Sequence, residues 1–379
     1  MEQLSEIIFW FDSPPKVGKG AFNYVANHWT GPVYYVFNND FRAERKAVNW
    51  DDGDFGRART VALYEQADEA AVLDAFLAAH AGAVHVVCGF TTRIMRKLRG
   101  RLCRHGVRLL VFSERPDMMG GRAERLLRKA WFRLKYTHLR RVFEPYTSAF
   151  LPLGMLGVRT FRRYGWPQAK LWPFMYNPQI APVEGGGRKT AGAPLQFLYV
   201  GRFYHKTKGT DVLMKSASSL VGNWHLDLVG GYGPDAAEVE AWAERQPCVS
   251  YVGRWSAGDV LRRMAAYDVV VVPSRYDGWN LLVNEAFHAG VGVIATDGAV
   301  SDELVSASGA GLVVPAGRAD RLREAMQHAV DHPDEVAVWK ERAAAFYPRI
   351  SVDAVGRYLQ DIISYVFFGA GERPQCPWL

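Results

Sequence analysis

At 379 residues, with 49% hydrophobic and 22% charged side chains, the chain has the composition of an ordinary globular protein and is long enough to build two cores. Its four cysteines (Cys88, Cys103, Cys248 and Cys376) are scattered without a CxxC pair, which argues against a zinc ribbon or a disulfide framework and fits a reducing compartment. Acids stand where a signal peptide carries its basic region and no apolar run approaches the roughly 18 residues of a spanning helix, so a cytoplasmic chain without a membrane span is expected.

The net charge of +7 is unevenly spread. Between residues 91 and 141, sixteen Lys and Arg face three acids (Glu114, Asp117 and Glu124), a local excess of +13 that leaves the remainder at −6. Such a segment fits an anionic partner surface (membrane, acidic glycan or nucleic acid) or a solvated basic face.

In chain order, residues 6–11 (EIIFWF) read as a first buried strand, followed by a loop through Gly18 and Gly20 and a helix from about Ala21. The glycines leave room for a ligand backbone or phosphate, or simply make a βα turn; without a Gly-Lys-Ser/Thr ending the loop is no ATP-binding P-loop. Val33–Phe37 reads as a second strand. Asp51-Asp52-Gly53-Asp54 reads as a polar turn rather than a metal-diphosphate pair, because no apolar strand precedes it. A helix over 68–81 places Val72, Phe76 and Leu77 on one stripe, and residues 83–88 form a third strand in which His85 is a core side chain. Residues 107–112 form another, ending in Ser113-Glu114-Arg115-Pro116. This alternation predicts a doubly wound parallel sheet, and a charged residue just after a strand, such as Glu114, is placed to serve a cleft.

Residues 122–141 have helical periodicity, with Leu127, Trp131, Leu134 and His138 along one side and Arg125, Arg128, Lys129, Arg133, Lys135 and Arg140 elsewhere. A basic amphipathic helix with aromatic residues suits an anionic membrane surface; a helix packed on its own sheet with a basic outer side fits as well. No nucleic-acid motif accompanies the charge, so no nucleic-acid partner is expected. The glycine-rich stretch 183–193 marks the domain boundary, giving domains over 1–182 and 183–350, then a final helix and a Pro-rich, poorly ordered tail within 351–379.

The second half restarts with the strand Leu195–Val200, then Gly201-Arg202 and His205-Lys206-Thr207-Lys208-Gly209 before a helix. Gly201 permits close backbone approach, and a diphosphate would neutralise Arg202 and Lys208 together. A strand ending in Gly230-Gly231-Tyr232-Gly233-Pro234 follows, then strands at 249–254, 268–272, 292–296 and 311–315. Residues 268–290 are the most constraining stretch: a β-branched run ends at Pro273-Ser274, and two carboxylates eight positions apart, Asp277 and Glu285, flank the start of a helix. At the carboxyl end of a parallel strand, helix N-terminal amides suit a phosphate.

Four elements in order, Gly201-Arg202 with Lys208-Gly209, Gly230 to Pro234, Val252-Gly253-Arg254, and Pro273-Ser274 with Asp277, Glu285 and Thr296, resemble the nucleotide-binding domain of the retaining glycosyltransferase family 4. The resemblance covers residues 195–315 and implies a GT-B fold: two Rossmann-like doubly wound parallel-sheet domains facing a cleft, the first binding acceptor and the second a UDP- or GDP-sugar. It implies that Arg202 and Lys208 hold the donor diphosphate, that Glu285 bonds the ribose and Asp277 the sugar, and that backbone amides over Gly278, Asn280, Leu281 and Leu282 cap the phosphates. Gly201, Gly230 and Gly231 would line the donor site, and Arg254 would face the base. Gly18, Gly20 and Glu114 fall on the acceptor side. No cofactor or divalent metal is expected, since fixed cations stabilise the leaving diphosphate. The expected partners are the donor, a glycan or glycolipid acceptor and an anionic membrane surface met by residues 91–141, which would place the chain at the inner face of the cytoplasmic membrane. Two positions depart from the family pattern: Asp277 stands for a usual Glu, and Trp279-Asn280 for a common Phe-Gly. A non-catalytic nucleotide-sugar or glycan-binding module is the alternative.

Overall fold

A computed structural model describes residues 5–15, 19–40, 54–117, 119–178 and 192–379. Gly18, the Asp51-Asp52-Gly53 turn and the glycine-rich linker over 183–191 lie outside these residues. The chain divides into two compact units, one of Met1–Gln179 with Ser351–Pro377, the other of Ile180–Ile350 with Trp378–Leu379.

In the first unit, β1 (Ile7–Phe11), α1 (Lys19–His28), β2 (Val33–Phe37), β3 (Arg59–Ala62), α2 (Glu69–Ala79) and β4 (Val84–Cys88) are followed by α3 (Arg93–His105), β5 (Arg108–Ser113), α4 (Arg122–Phe143), β6 (Thr147–Pro152) and α5 (Gly154–Arg163). The six strands pair in parallel in the order β3-β2-β1-β4-β5-β6. Helices cover both faces of a parallel sheet, so its central strands are continuously apolar: all five residues of β1 are buried. Trp10, Val87, Ile94, Val111, Phe150, Phe161 and Trp166 share one core.

His85 fits that core for a definable reason. Trp10 Nε1 donates to its Nδ1 at 3.0 Å, leaving Nε2 to donate to the His80 carbonyl at 3.1 Å. The neutral tautomer satisfies both partners, whereas an imidazolium would face one donor with another. Burial pushes the pKa of His85 down to about 4, against the upward pull of the bond to the His80 carbonyl.

In the second unit, β7 (Leu195–Val200), α6 (His205–Lys208), α7 (Thr210–Ala217), β8 (Trp224–Val229), α8 (Ala236–Ala243), β9 (Val249–Gly253) and α9 (Ala257–Met264) lead to β10 (Val269–Val272). Next come α10 (Leu281–His288), β11 (Gly292–Thr296), α11 (Asp302–Ser308), β12 (Gly311–Val314), α12 (Ala319–Asp331) and α13 (Pro333–Phe346). These strands are parallel in the order β12-β11-β10-β7-β8-β9. Both sheets therefore wind outward in opposite directions from a first and a fourth strand that are neighbours, the doubly wound order of dinucleotide-binding folds.

The last helix, α14 (Val352–Phe368), belongs to the first unit and lies against α1. A Cβ on Gly356 would stand 2.3 Å from the Tyr24 ring, so the contact requires glycine. The tail beyond α14 is anchored rather than poorly ordered. Arg373 donates to the carbonyls of Ala169 and Leu171 and lies over the Trp172 ring, and Trp378 is fully buried with Nε1 donating to Glu303 at 2.9 Å. Proline and glycine suggested a loose end; two aromatic contacts outweigh them.

Candidate functional site

In an open parallel sheet, ligands bind beyond the carboxyl ends of the two strands where the winding reverses. In the second unit those strands are β7 and β10, and the loops that follow them carry Gly201, Arg202, Lys208, Asp277, Gly278 and Asn280.

The two loops interlock. Gly209 has φ +65°, and a Cβ there would lie 2.1 Å from the Pro273 carbonyl oxygen, so only glycine lets the chains meet. The Thr207 carbonyl accepts the amides of Arg275 and Tyr276 at 2.8 and 3.2 Å. Arg275 clamps both carboxylate oxygens of Asp211 at 2.5 and 2.7 Å and also donates to the His205 carbonyl. Burial penalises the Asp211 carboxylate, yet the Arg275 hydrogen bonds hold its pKa below the usual range. Behind them, the Thr296 hydroxyl bonds the Ser274 carbonyl and the Asp277 amide donates to Gly298 O at 2.9 Å.

On this floor stands a charged triad. Lys208 Nζ lies 2.5 Å from Asp277 Oδ1, and Asn280 Nδ2 donates to Asp277 Oδ2 at 2.9 Å. Asn280 Oδ1 accepts the Leu282 amide at 3.0 Å, capping α10, while Trp279 is buried with Nε1 donating to Asn284. The Lys208 and Asp277 side chains are 21% and 13% exposed, open enough to meet a ligand and dry enough for the charges to be strongly felt. Burial, and then the Asp277 charge, drive the pKa of nearby Tyr199 well up.

A second cluster lies at the β7, β8 and β9 ends. Cβ atoms at Gly230 and Gly233 would come within 2.1 and 2.3 Å of the Gly201 and Phe203 carbonyl oxygens, so the glycine turn packs backbone to backbone. Arg254 donates to Gly231 O at 2.8 Å with its guanidinium over the exposed Tyr232 ring, and Arg202 is exposed. Glu285 sits half-buried on α10, with Leu281 one turn before it and Leu282 buried. Among the described residues, no three His, Cys, Asp or Glu side chains are grouped to hold a metal ion.

The acceptor-side candidates sit otherwise. α1 begins at Lys19, two residues earlier than its apolar pattern suggests, so Gly20 is inside the helix and buried, with Asn177 O and Val352 Cγ2 at 3.0 and 2.8 Å from where a Cβ would stand. That space is filled, and Gly20 serves packing. Glu114 is exposed at the end of β5 and accepts from Tyr176 Oη at 3.1 Å. The first unit's reversal point, between β1 and β4, holds Asp12, whose carboxylate accepts the Arg93 and Ile94 amides at 3.0 and 2.6 Å. A protein carboxylate thus already occupies the N-terminus of α3.

Sequence reading missed Asp12, the Arg275–Asp211 clamp and the capping role of the Asn280 side chain. Asn280 carried a usable signal, an Asn immediately before an apolar helical run. The clamp carried none, since it joins residues 64 positions apart.

Residues 194–332 match the family model described as glycosyl transferases group 1. No curated protein sequence matches the chain. Among solved structures, Anabaena HepE in complex with UDP and glucose is 14% identical with a TM-score of 0.69, over 95% of this chain and 99% of HepE. The lipopolysaccharide outer core galactosyltransferase WaaB is 14% identical with a TM-score of 0.66, over 94% and 99%. Sucrose-phosphate synthase from Thermosynechococcus elongatus is 18% identical with a TM-score of 0.67, over 97% and 100%. The protein thus has the GT-B fold of these structures, and the match to the group 1 glycosyl transferase model falls in its second unit.

Proposed function

We propose that the protein is a retaining, metal-independent glycosyltransferase that moves a hexose-type sugar from a UDP- or GDP-sugar to a membrane-linked glycan, such as a lipopolysaccharide or other surface-polysaccharide precursor, at the cytoplasmic face of the membrane. The observation that carries this reading is the Lys208–Asp277–Asn280 triad at the reversal point of the second sheet. Lys208 and Arg202 bind the diphosphate, Asp277 accepts sugar hydroxyls, Glu285 the ribose hydroxyls, and the Arg254 and Tyr232 surface faces the base. Backbone amides over Gly278, Leu281 and Leu282 approach the phosphates beside Gly201, Gly230 and Gly231. HepE's complex with UDP-glucose and the naming of WaaB as a lipopolysaccharide outer core galactosyltransferase support the choice of donor and acceptor.

In the reaction the bond from the anomeric carbon to the diphosphate oxygen breaks, and its electron pair leaves with the nucleotide diphosphate. The acceptor hydroxyl forms the new bond on the same face and gives its proton to the departing phosphate. Charge grows on the diphosphate as this happens, and each fixed cation aimed at it contributes about 2–4 kcal/mol to the transition state.

One observation favours a second reading, a nucleotide-sugar-binding module without turnover. Both Asp277 oxygens are already engaged, by Lys208 and by Asn280, and a donor must displace or share those bonds. A panel of UDP-, GDP- and dTDP-sugars separates the two. Thermal stabilisation together with sugar release or transfer supports the enzyme, stabilisation without turnover supports the module, and neither removes both readings.

A further inference from the structure

We infer that His205 is a positioning residue for Lys208: it holds the one-turn helix α6 where the lysine can meet a donor diphosphate, a role that rests on the proposed function. α6 is four residues long, and Tyr204 gives its N-terminus no side-chain cap, so the turn has little stability of its own. Lys208 closes it, its amide donating to Tyr204 O at 2.7 Å, and the Gly209 amide donates to His205 O at 3.1 Å. A lysine side chain has many rotamers, and aiming its ammonium at one point depends on a backbone that does not move. Contacts from outside the turn must supply that rigidity.

His205 supplies them through every polar atom it has. Its amide donates to Asp235 Oδ2 at 2.6 Å, and its carbonyl accepts from Arg275 as well as from Gly209. On the ring, Nδ1 lies 2.6 Å from the Thr210 hydroxyl and Nε2 lies 3.2 Å from Glu238 Oε2. A ring nitrogen facing a carboxylate donates, so in the neutral imidazole Nδ1 accepts from the Thr210 hydroxyl. One residue thereby joins the loop after β7 to α7, to the start of α8 and to the loop after β10. These partners differ in weight. Glu238 is 64% exposed, and its bond contributes little. Thr210 is 2% exposed, so loss of the ring strands a buried hydroxyl. Asp235 occupies the N-cap position of α8 yet makes no side-chain cap bond there, because its carboxylate turns to the His205 amide instead. Of the four residues in the turn so held, Lys208 is the one paired with Asp277.

Hydrogen exchange and calorimetric titration of the full chain test this. Without ligand, the Lys208 and Gly209 amides should exchange at least about tenfold faster in His205→Ala, while the strand amides of β7 and β10 keep their protection and show that the fold is intact. His205→Asn, whose side-chain amide can stand in for Nδ1 toward Thr210, should restore the slow exchange. UDP-glucose or GDP-mannose, whichever binds the wild type, should bind about tenfold more weakly to His205→Ala and within about twofold of wild type to His205→Asn. In a Lys208→Ala background the same His205→Ala change should weaken binding by less than about twofold, since a residue that acts through the lysine loses its effect with it. Unchanged exchange in His205→Ala, or an equal loss of affinity with and without Lys208, overturns the inference. Weaker binding in Lys208→Ala but not in His205→Ala overturns it while leaving the donor reading in place. A wild type that binds neither sugar nucleotide removes the donor reading, and this inference with it.

Discussion

The two sheets share one strand order and differ in what stands at the point where the winding reverses. In the first unit, the carboxylate of Asp12 fills the N-terminus of α3 and accepts two of its amides, and Glu114 stands exposed nearby along the strand ends. In the second, the same topological position presents Lys208 and the exposed Arg202, with a neutral Asn280 capping α10. On the proposed reading a phosphate is received at the second place, by the exposed Arg202 and by Lys208, which there is shared with Asp277, and not at the first. Equal folds thus carry opposite electrostatics, and function must be argued from side chains at the reversal point rather than from topology. On the proposed reading the contrast also divides labour, with the diphosphate assigned to the second unit and a hydroxyl-rich acceptor, which carboxylates can bind, to the first.

The strongest way to break that contrast is to remove the cation. Lys208→Ala should reduce sugar transfer by about 10²–10³, the range for loss of one transition-state donor, with Arg202→Ala acting in the same direction; steady-state kinetics with the preferred donor measures it. Next in size is a pH effect confined to the first unit. His85 has a folded pKa of about 4, below the ordinary value of 6.5, so the unfolded chain takes up its proton first as pH falls. The stabilisation is complete above pH 6.5 and is lost progressively down to pH 4, about 3 kcal/mol in all. Denaturant titrations across that window should show the loss, and His85→Gln should flatten it.

A smaller effect tests the filled helix end. Asp12→Ala strips two charge-assisted bonds from α3 and should cost about 2 kcal/mol of stability while leaving UDP-sugar affinity unchanged. A loss of donor affinity would show that the two reversal points are not separate in function. The mildest change is Asn280→Ala, about 1 kcal/mol from the lost cap, accompanied by a shift in kcat beyond what stability explains, because Asn280 also fixes Asp277.

Much of this was legible in the chain. Val33–Phe37, Leu195–Val200 and Gly292–Thr296 form strands over the residues that their apolar runs indicate, because buried parallel strands carry continuous hydrophobic sequence. β3 escaped notice because Arg59 and Thr60 are exposed on an edge strand, and β6 because it follows a long helix closely and ends in Pro152. In the site, the lysine, the aspartate and the glycines stood out by type and spacing. What did not was cross-chain geometry: Arg275 on Asp211, and Asp12 on an α3 that begins 81 positions later. Such pairings follow from sheet order, which sequence periodicity does not encode. That Leu127, Trp131 and Leu134 of α4 are exposed was equally hidden, since periodicity gives a stripe and not its direction.

Isothermal titration of UDP-glucose and GDP-mannose against wild type, Lys208→Ala and Asp12→Ala tests the donor assignment most directly. Saturable binding of a nucleotide sugar to wild type and to Asp12→Ala, weakened at least about tenfold in Lys208→Ala, is the expected result. Equal affinity in all three proteins, or a loss confined to Asp12→Ala, would contradict the placement of the diphosphate between β7 and β10.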